Sequence, residues 1–262
     1  MPTVREIEGA IFEAAPRELA MEWDNVGHLL GDPDQWVQRC LVALDATPDT
    51  AEEAIAGGCQ LLVTHHPIMN CRWQQVQSIR DDVPQGALLA RLLRADVSVI
   101  SMHTNLDIAE GGVNDVLAET LRIVDPGPFT QEGVGRCGCL AEPMELRSFV
   151  RFVSRALHCN GVRYADAGKP VHRVAVGGGA CGEFEDAAIA AGCDTFVTSD
   201  LSYHQFLDAK GKGINLIDAG HFPTEDPICA KLVAYLAGRF PGLSVRRSAS
   251  HREVIQYYVE GE

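Results

Sequence analysis

Two stretches of this chain are written almost alike. Ala54-Ile55-Ala56-Gly57-Gly58-Cys59 is followed three residues on by Val63-Thr64, and Ala188-Ile189-Ala190-Ala191-Gly192-Cys193 is followed three residues on by Val197-Thr198. Each block joins the end of a helix-like run, a glycine stop and a short apolar run, and each has a strand-like run before it. Such self-similarity predicts an internal duplication of a strand-helix-strand unit. The rest of the chain keeps the alternation. Short apolar runs predict strands over 40–44, 61–63, 97–102, 171–176, 195–198, 214–217 and 254–259. Between them, helical spacing and stop signals predict helices over 4–15, 47–56, 85–94, 112–121, 143–157, 183–191, 200–209 and 226–240. Thr3 and Glu6 form a capping box for the first. Alternating strands and helices imply an α/β fold with two related α/β domains, their sheets mainly parallel and covered by helices. Asp125-Pro126-Gly127-Pro128 is the strongest linker signal. It predicts domains over 1–125 and 126–262, with the last segment able to pack back on the first.

Several of the apolar runs end in residues that bind cations. Leu61-Leu62-Val63 stops at Thr64-His65-His66-Pro67. Neighbouring side chains on a regular strand point to opposite faces, so two adjacent imidazoles converge only where the strand gives way to a loop. The carboxyl end of a buried strand is also where open α/β sheets place ligands. Asp107 falls in the loop after the 97–102 strand. His221 and Glu225 lie four apart, and a helix opening near Pro223 would project them the same way. Taken singly these are ordinary: a His-His pair is commonly two core or surface histidines, and His-x-x-x-Glu is a common helix pair. Together, each after a strand, they form a donor set. Imidazoles with carboxylates suit zinc, iron or manganese, whereas calcium and magnesium favour all-oxygen sets. Three histidines and two carboxylates exceed what one catalytic ion needs and fit two bridged ions. Gly177-Gly178-Gly179 lacks the pattern of a phosphate loop and reads as a tight turn.

Composition narrows the partners. The net charge of −14 over 262 residues disfavours a general nucleic-acid binder and docking on anionic lipid. Apolar residues make up 46%, enough for a real core. The nine cysteines are scattered. Cys137-Gly138-Cys139 is the one tight pair, and it reads with the rest as reduced thiols of a cytoplasmic protein. The first residues carry Arg5, Glu6 and Glu8 and no apolar core of a signal peptide, and no apolar run suits a membrane span.

Thr64-His65-His66-Pro67, His103-Thr104-Asn105-Leu106-Asp107, Ser199-Asp200-Leu201-Ser202-Tyr203-His204 and Asp218-Ala219-Gly220-His221-x-x-x-Glu225 resemble the signature blocks of the Nif-three-like family. Its members often carry the name GTP cyclohydrolase 1 type 2 homologue or dinuclear metal centre protein. Trp23-Asp24-Asn25-Val26-Gly27 is similar to its N-terminal block. The match spans nearly the whole chain and fits the short form, without the middle insertion. One departure is His28, where the family usually has an apolar residue. The resemblance implies two α/β domains facing a cleft with a two-metal site, and a toroidal homohexamer built as a trimer of dimers. By position, His66 and Asp107 would hold one ion, His65 and His221 the other, and Glu225 would bridge both. Zinc or iron is implied, with manganese also suited. His103, Asp200, Tyr203 and His204 match motif positions near the site, and His103 and His204 are the candidates for proton transfer. The implied activity is metal-dependent hydrolysis of a nucleotide-like or small phosphorylated substrate, in outline a GTP cyclohydrolase. The alternative is a metal carrier or chaperone, or a regulatory scaffold, without turnover.

Overall fold

The computed structural model describes residues 1–258. In chain order they form α1 (Val4–Ala14), β1 (Gly27–Leu30), β2 (Arg39–Ala43), α2 (Pro48–Ala56), β3 (Leu61–Thr64), α3 (Pro84–Arg94), β4 (Ser98–Ser101), α4 (Thr104–Ile108), α5 (Val113–Thr120), β5 (Val124–Gly127), β6 (Arg136–Met144), α6 (Leu146–Ala156), β7 (Arg163–Ala165), β8 (Val171–Val176), α7 (Glu185–Ala190), β9 (Thr195–Thr198), α8 (Tyr203–Lys212), β10 (Asn215–Asp218), α9 (His221–Glu225), α10 (Pro227–Arg239) and β11 (Ser244–Arg247).

These elements fall into two compact units. The first holds Met1–Glu110 with Ile228–Arg252, the second Gly111–Pro227 with residues 253–258. The first unit is built on a five-stranded sheet in the order β1-β4-β3-β2-β11. β4, β3, β2 and β11 run parallel, and only the edge strand β1 is antiparallel. β3 and β4 are buried along their whole length, as strands covered on both faces must be. Leu41, Leu62 and Val99 pack with Ala51 and Ala54 of α2 and Leu89 and Leu92 of α3. Thr47 caps α2, Pro48 opens it, and Gly57 closes it.

The second unit carries a six-stranded sheet, β5-β6-β8-β9-β10-β7. Its centre, β8-β9-β10, is parallel, while β5, β6 and β7 join it antiparallel. Phe149 and Val153 of α6 pack on Val174, Val197 and Ile217.

The duplication seen in the sequence is a duplication of geometry. In the first unit Cys40, Leu41 and Val42 of β2 pair with Leu61, Leu62 and Val63 of β3. In the second, Val174, Ala175 and Val176 of β8 pair with Thr195, Phe196 and Val197 of β9 at the same offset. Even the helix exits match: Cys59 N–H donates to Ala54 O at 2.9 Å, and Cys193 N–H to Ala188 O at 3.0 Å. Gly58 and Gly192 both take positive φ at these exits, which is why a glycine stands there in each copy.

Three expectations are corrected. The predicted linker at 125–128 is instead largely the edge strand β5, paired with β6. Gly138 of β6 permits it: a Cβ there would meet Val124 O at 2.5 Å and Ile123 Cγ2 at 2.7 Å. Proline is tolerated because β5 lies at the sheet edge. The first compact unit runs to Glu110 and the second starts at Gly111, with α5 packed on β5, β6 and β8. The start of the predicted 143–157 helix belongs to β6, and α6 begins at Leu146. The closing strand is Ser244–Arg247, parallel to β2; residues 254–258 form no strand, and Val259 lies outside the described residues.

The last segment of the first unit is tied down by one carboxylate. Glu53 of α2 accepts from Ser248 Oγ (2.5 Å), Ala249 N (3.1 Å), Ser250 N (3.0 Å) and Ser250 Oγ (2.7 Å), and pairs with Arg246. Burial alone would raise its pKa, but these hydrogen bonds outweigh it and hold the carboxyl at about 2. A depressed carboxyl contributes stability that is present above its unfolded value near 4.5 and lost as pH falls through about 2. Glu53→Gln is expected to cost roughly 1–2 kcal/mol at neutral pH, after solvent screening. It is also expected to flatten the acid limb of stability between those two pH values, as read by urea unfolding at a series of pH values.

Candidate metal centre

In the first unit, the end of β3 explains how neighbouring histidines converge. His65 N–H and His66 N–H both donate to the same acceptor, Leu44 O, at 3.1 and 3.0 Å. The regular ladder ends there, so the side chains no longer alternate across the sheet. The two imidazole centroids lie 4.9 Å apart. His103, which follows β4, joins them with its centroid 5.2 Å from His65 and 5.7 Å from His66. One ring nitrogen from each of the three falls within 4.8 Å of the others.

Each ring is held through Nδ1. His65 Nδ1 bonds Met102 O at 2.8 Å, His66 Nδ1 bonds Asp45 Oδ1 at 2.7 Å, and His103 Nδ1 bonds Asp24 Oδ1 at 2.9 Å. An anchored Nδ1 fixes tautomer and ring orientation and turns Nε2 toward a cation, the arrangement found around metal-ligating histidines. His65 Nε2 stands 3.6 Å from Asp107 Oδ1. Asp107 is not in a loop, as expected, but on the one-turn helix α4, whose start is set by Asp24 Oδ2 accepting from Thr104 N and Thr104 Oγ1. Burial raises the Asp24 carboxyl, and its bonds to His103 and Thr104 outweigh that and bring it down to about 2.

Two supports of this cluster were not singled out in the sequence. Asp45, just after β2, bonds His66 through one oxygen and His251 Nε2 through the other at 2.9 Å. Asp24 sits in the Trp-Asp-Asn block that the resemblance marked, but its role on His103 was not read. A carboxylate one strand away leaves no spacing signal; only the sheet order brings Asp45 beside His66.

In the second unit, His221 and Glu225 occupy the two ends of α9, which opens at His221 rather than at Pro223. Their i, i+4 spacing brings His221 Nε2 within 3.1 Å of Glu225 Oε2. Asp200 Oδ2 bonds His221 Nδ1 at 2.7 Å. Asp200 takes φ +55°, a turn that Asp tolerates better than most residues and that is worth a look where it occurs at a site. Burial opposes charge on His221, yet Glu225 and Asp200 prevail and push its pKa up to about 11. His204 is exposed on the first turn of α8, its ring 5.4 Å from that of Tyr203.

Gly177-Gly178-Gly179 proves to be more than a turn. A Cβ on Gly179 would fall on Glu225 Oε1 and lie 3.0 Å from Glu225 Cδ and 3.2 Å from His221 Cε1. Gly179 N–H also donates to Thr224 Oγ1 at 3.0 Å. The duplication explains the position. At the offset relating Cys59 to Cys193, Gly179 corresponds to Asp45, Ser199 to His65, and Asp200 to His66. One copy carries imidazoles with an aspartate behind them; the other has glycine at the aspartate's position and admits a glutamate.

The donors fit divalent transition metals: anchored imidazoles and buried carboxylates, with no thiol among them. Among the described residues no helix is long and apolar enough to cross a membrane.

Comparison with known proteins agrees with this architecture. The family model of Duf34/NIF3 (NGG1p interacting factor 3) matches residues 2–253. Proteins named GTP cyclohydrolase 1 type 2 homolog are similar over most of their length. That of Clostridium perfringens is 32% identical over 87% of this chain and 89% of its own, and that of Streptomyces coelicolor 34% over 87% and 84%. Among solved structures, Staphylococcus aureus hypothetical protein SA1388 superposes with a TM-score of 0.89 at 26% identity, covering 98% of this chain and 99% of its own. Reduced HcgD from Methanocaldococcus jannaschii gives 0.82 at 27%, covering 94% and 97%. A two-unit α/β protein with histidine and carboxylate clusters at its strand ends is the class that fold and residues define. This chain belongs to the DUF34/NIF3 family.

Proposed function

We propose that this protein is a dinuclear-metal-dependent hydrolase of a nucleotide-like or small phosphorylated substrate. Its ligands in this reading are His65, His66, Asp107, His221 and Glu225, and its ions zinc or iron. The observation that carries the reading is the anchoring of each imidazole through Nδ1, by Met102 O, Asp45 and Asp200, because such outer hydrogen bonds fix ring orientation as they do around metal-ligating histidines. The relatives named for GTP cyclohydrolase support the reaction class. Two bound divalent ions supply Lewis acidity that brings water within reach of ionisation near neutral pH.

The chain's own part is positional. Asp45 and Asp200 hold the His66 and His221 rings in one orientation. Gly179 leaves the space in which the Glu225 carboxylate sits. His103, held by Asp24 and within ligand distance of His65 and His66, is the group placed to take up or return a proton at Nε2. His204, exposed on α8, is a weaker candidate for that role. A homohexamer is part of the same reading.

The test is elemental analysis of anaerobically purified protein, followed by hydrolysis assays over a nucleotide and sugar-phosphate panel with the metal it carries. Bound zinc or iron near two equivalents with turnover supports the reading. Readily exchanged metal without turnover on any substrate would replace it with a metal carrier.

A further inference from the structure

We propose that Trp23 and Trp73 recognise a flat heteroaromatic ring, such as a nucleobase, beside the His65–His66–His103 cluster. This rests on the hydrolase reading and names its substrate class. Indoles are the largest apolar side chains, and leaving them in water forgoes burial that most proteins use. Trp23 is 42% exposed and Trp73 57%. Both nevertheless touch the cluster. Trp23 lies edge-to-face with His103 at 5.9 Å; Trp73 does so with His103 at 5.3 Å and with His66 at 6.2 Å.

Neither ring is on a loose segment. Trp23 is followed by Asp24, whose carboxylate grips His103 and Thr104, and Asn25 Nδ2 donates to Met69 O at 2.7 Å. Trp73 sits at the tip of a closed turn in which Cys71 N–H donates to Gln74 O (3.0 Å) and Gln74 N–H to Cys71 O (3.2 Å). Gln75 Nε2 and Asn70 Oδ1 brace the same turn at 2.7 and 3.0 Å. Two braced indoles, each resting partly on imidazole and partly in solvent, offer π surface next to cation-binding donors. A simple phosphate gains little from that surface, whereas a flat heterocycle stacks on it over its full face.

Trp36 is the one other tryptophan in the sequence, so a Trp36→Phe background leaves only these two indoles to report by fluorescence. Metal-loaded protein in that background would be titrated with guanosine, adenosine and lumazine, and with ribose 5-phosphate as the ring-free control. At least one flat heterocycle is expected to give saturable quenching, and ribose 5-phosphate none. Trp23→Ala and Trp73→Ala should each weaken affinity about tenfold, while Trp23→Phe and Trp73→Phe stay within about threefold, because stacking tolerates one aromatic for another. Metal content and circular dichroism should be unchanged in all four. No saturable quenching by any of the three heterocycles overturns the proposal. So do equal affinity for ribose 5-phosphate, alanine variants that bind like the parent, and variants altered only in self-association. Turnover of a ring-free phosphate without tryptophan dependence would sink this inference and leave the hydrolase reading standing. Tryptophan-dependent binding to protein that never retains metal would do the reverse.

Discussion

His65→Ala and Glu225→Gln are each expected to leave the purified protein with less than about a tenth of the parent's bound zinc or iron, since even residues behind the ligands change metal affinity 10- to 100-fold. The two variants differ in what else they disturb. His65 is fully buried and its Nδ1 bonds Met102 O. Alanine there opens a cavity and strips a buried carbonyl of that bond, costing about 2–4 kcal/mol of stability besides any metal. Glu225→Gln keeps volume and most hydrogen bonding and removes the charge. If His65→Ala alone loses metal, the loss is a folding defect; if both lose it while Glu225→Gln unfolds at the parent's urea midpoint, the ligand assignment holds. Full occupancy in both variants would remove it. Elemental analysis by plasma mass spectrometry, alongside urea unfolding of chelator-treated protein, reads both quantities.

Gly179→Ala is expected to be strongly destabilising and to disturb the candidate metal centre directly. The new Cβ would fall on Glu225 Oε1, at a backbone φ of +65° that L residues resist. Left-handed strain contributes about 1–2 kcal/mol and the overlap a similar amount, for roughly 3 kcal/mol in all. Metal content should fall with it, because the carboxylate has to move. Gly168→Ala separates the two causes: Gly168 has φ +74° but nothing within 4 Å of where its Cβ would stand, so it should show the strain alone. Equal destabilisation of both variants, with metal retained in Gly179→Ala, would mean that the glycine serves only its turn.

The parallel strands inside the two sheets were legible because they are largely buried on both faces and therefore written as nearly unbroken apolar runs. β8 and β9 fall where the periodicity puts them, and β3 and β10 within a residue of it. The strands that escaped reading are those at or near a sheet edge. Val124–Gly127 carries Asp-Pro-Gly, Arg163–Ala165 spans three residues, and Ser244–Arg247 ends in two arginines, so none has a two-sided apolar signature. Each pairs because a neighbour offers an open edge, a fact of the sheet and not of the segment. The donors were legible for a related reason: a histidine or carboxylate ending an apolar run stands out against it.

What amino-acid order determined by itself was local: where helices start and stop, which runs are buried, the duplicated unit, and the polar residues that end its strands. What tertiary structure alone decided was which carboxylate backs which imidazole. Asp24 and His103 are far apart in the chain, as are Asp45 and His251, and each pair meets at hydrogen-bond distance only through strand order and chain return. Periodicity reports the face a residue presents, but the partner on that face is chosen by packing of segments distant in sequence, and no local spacing encodes it.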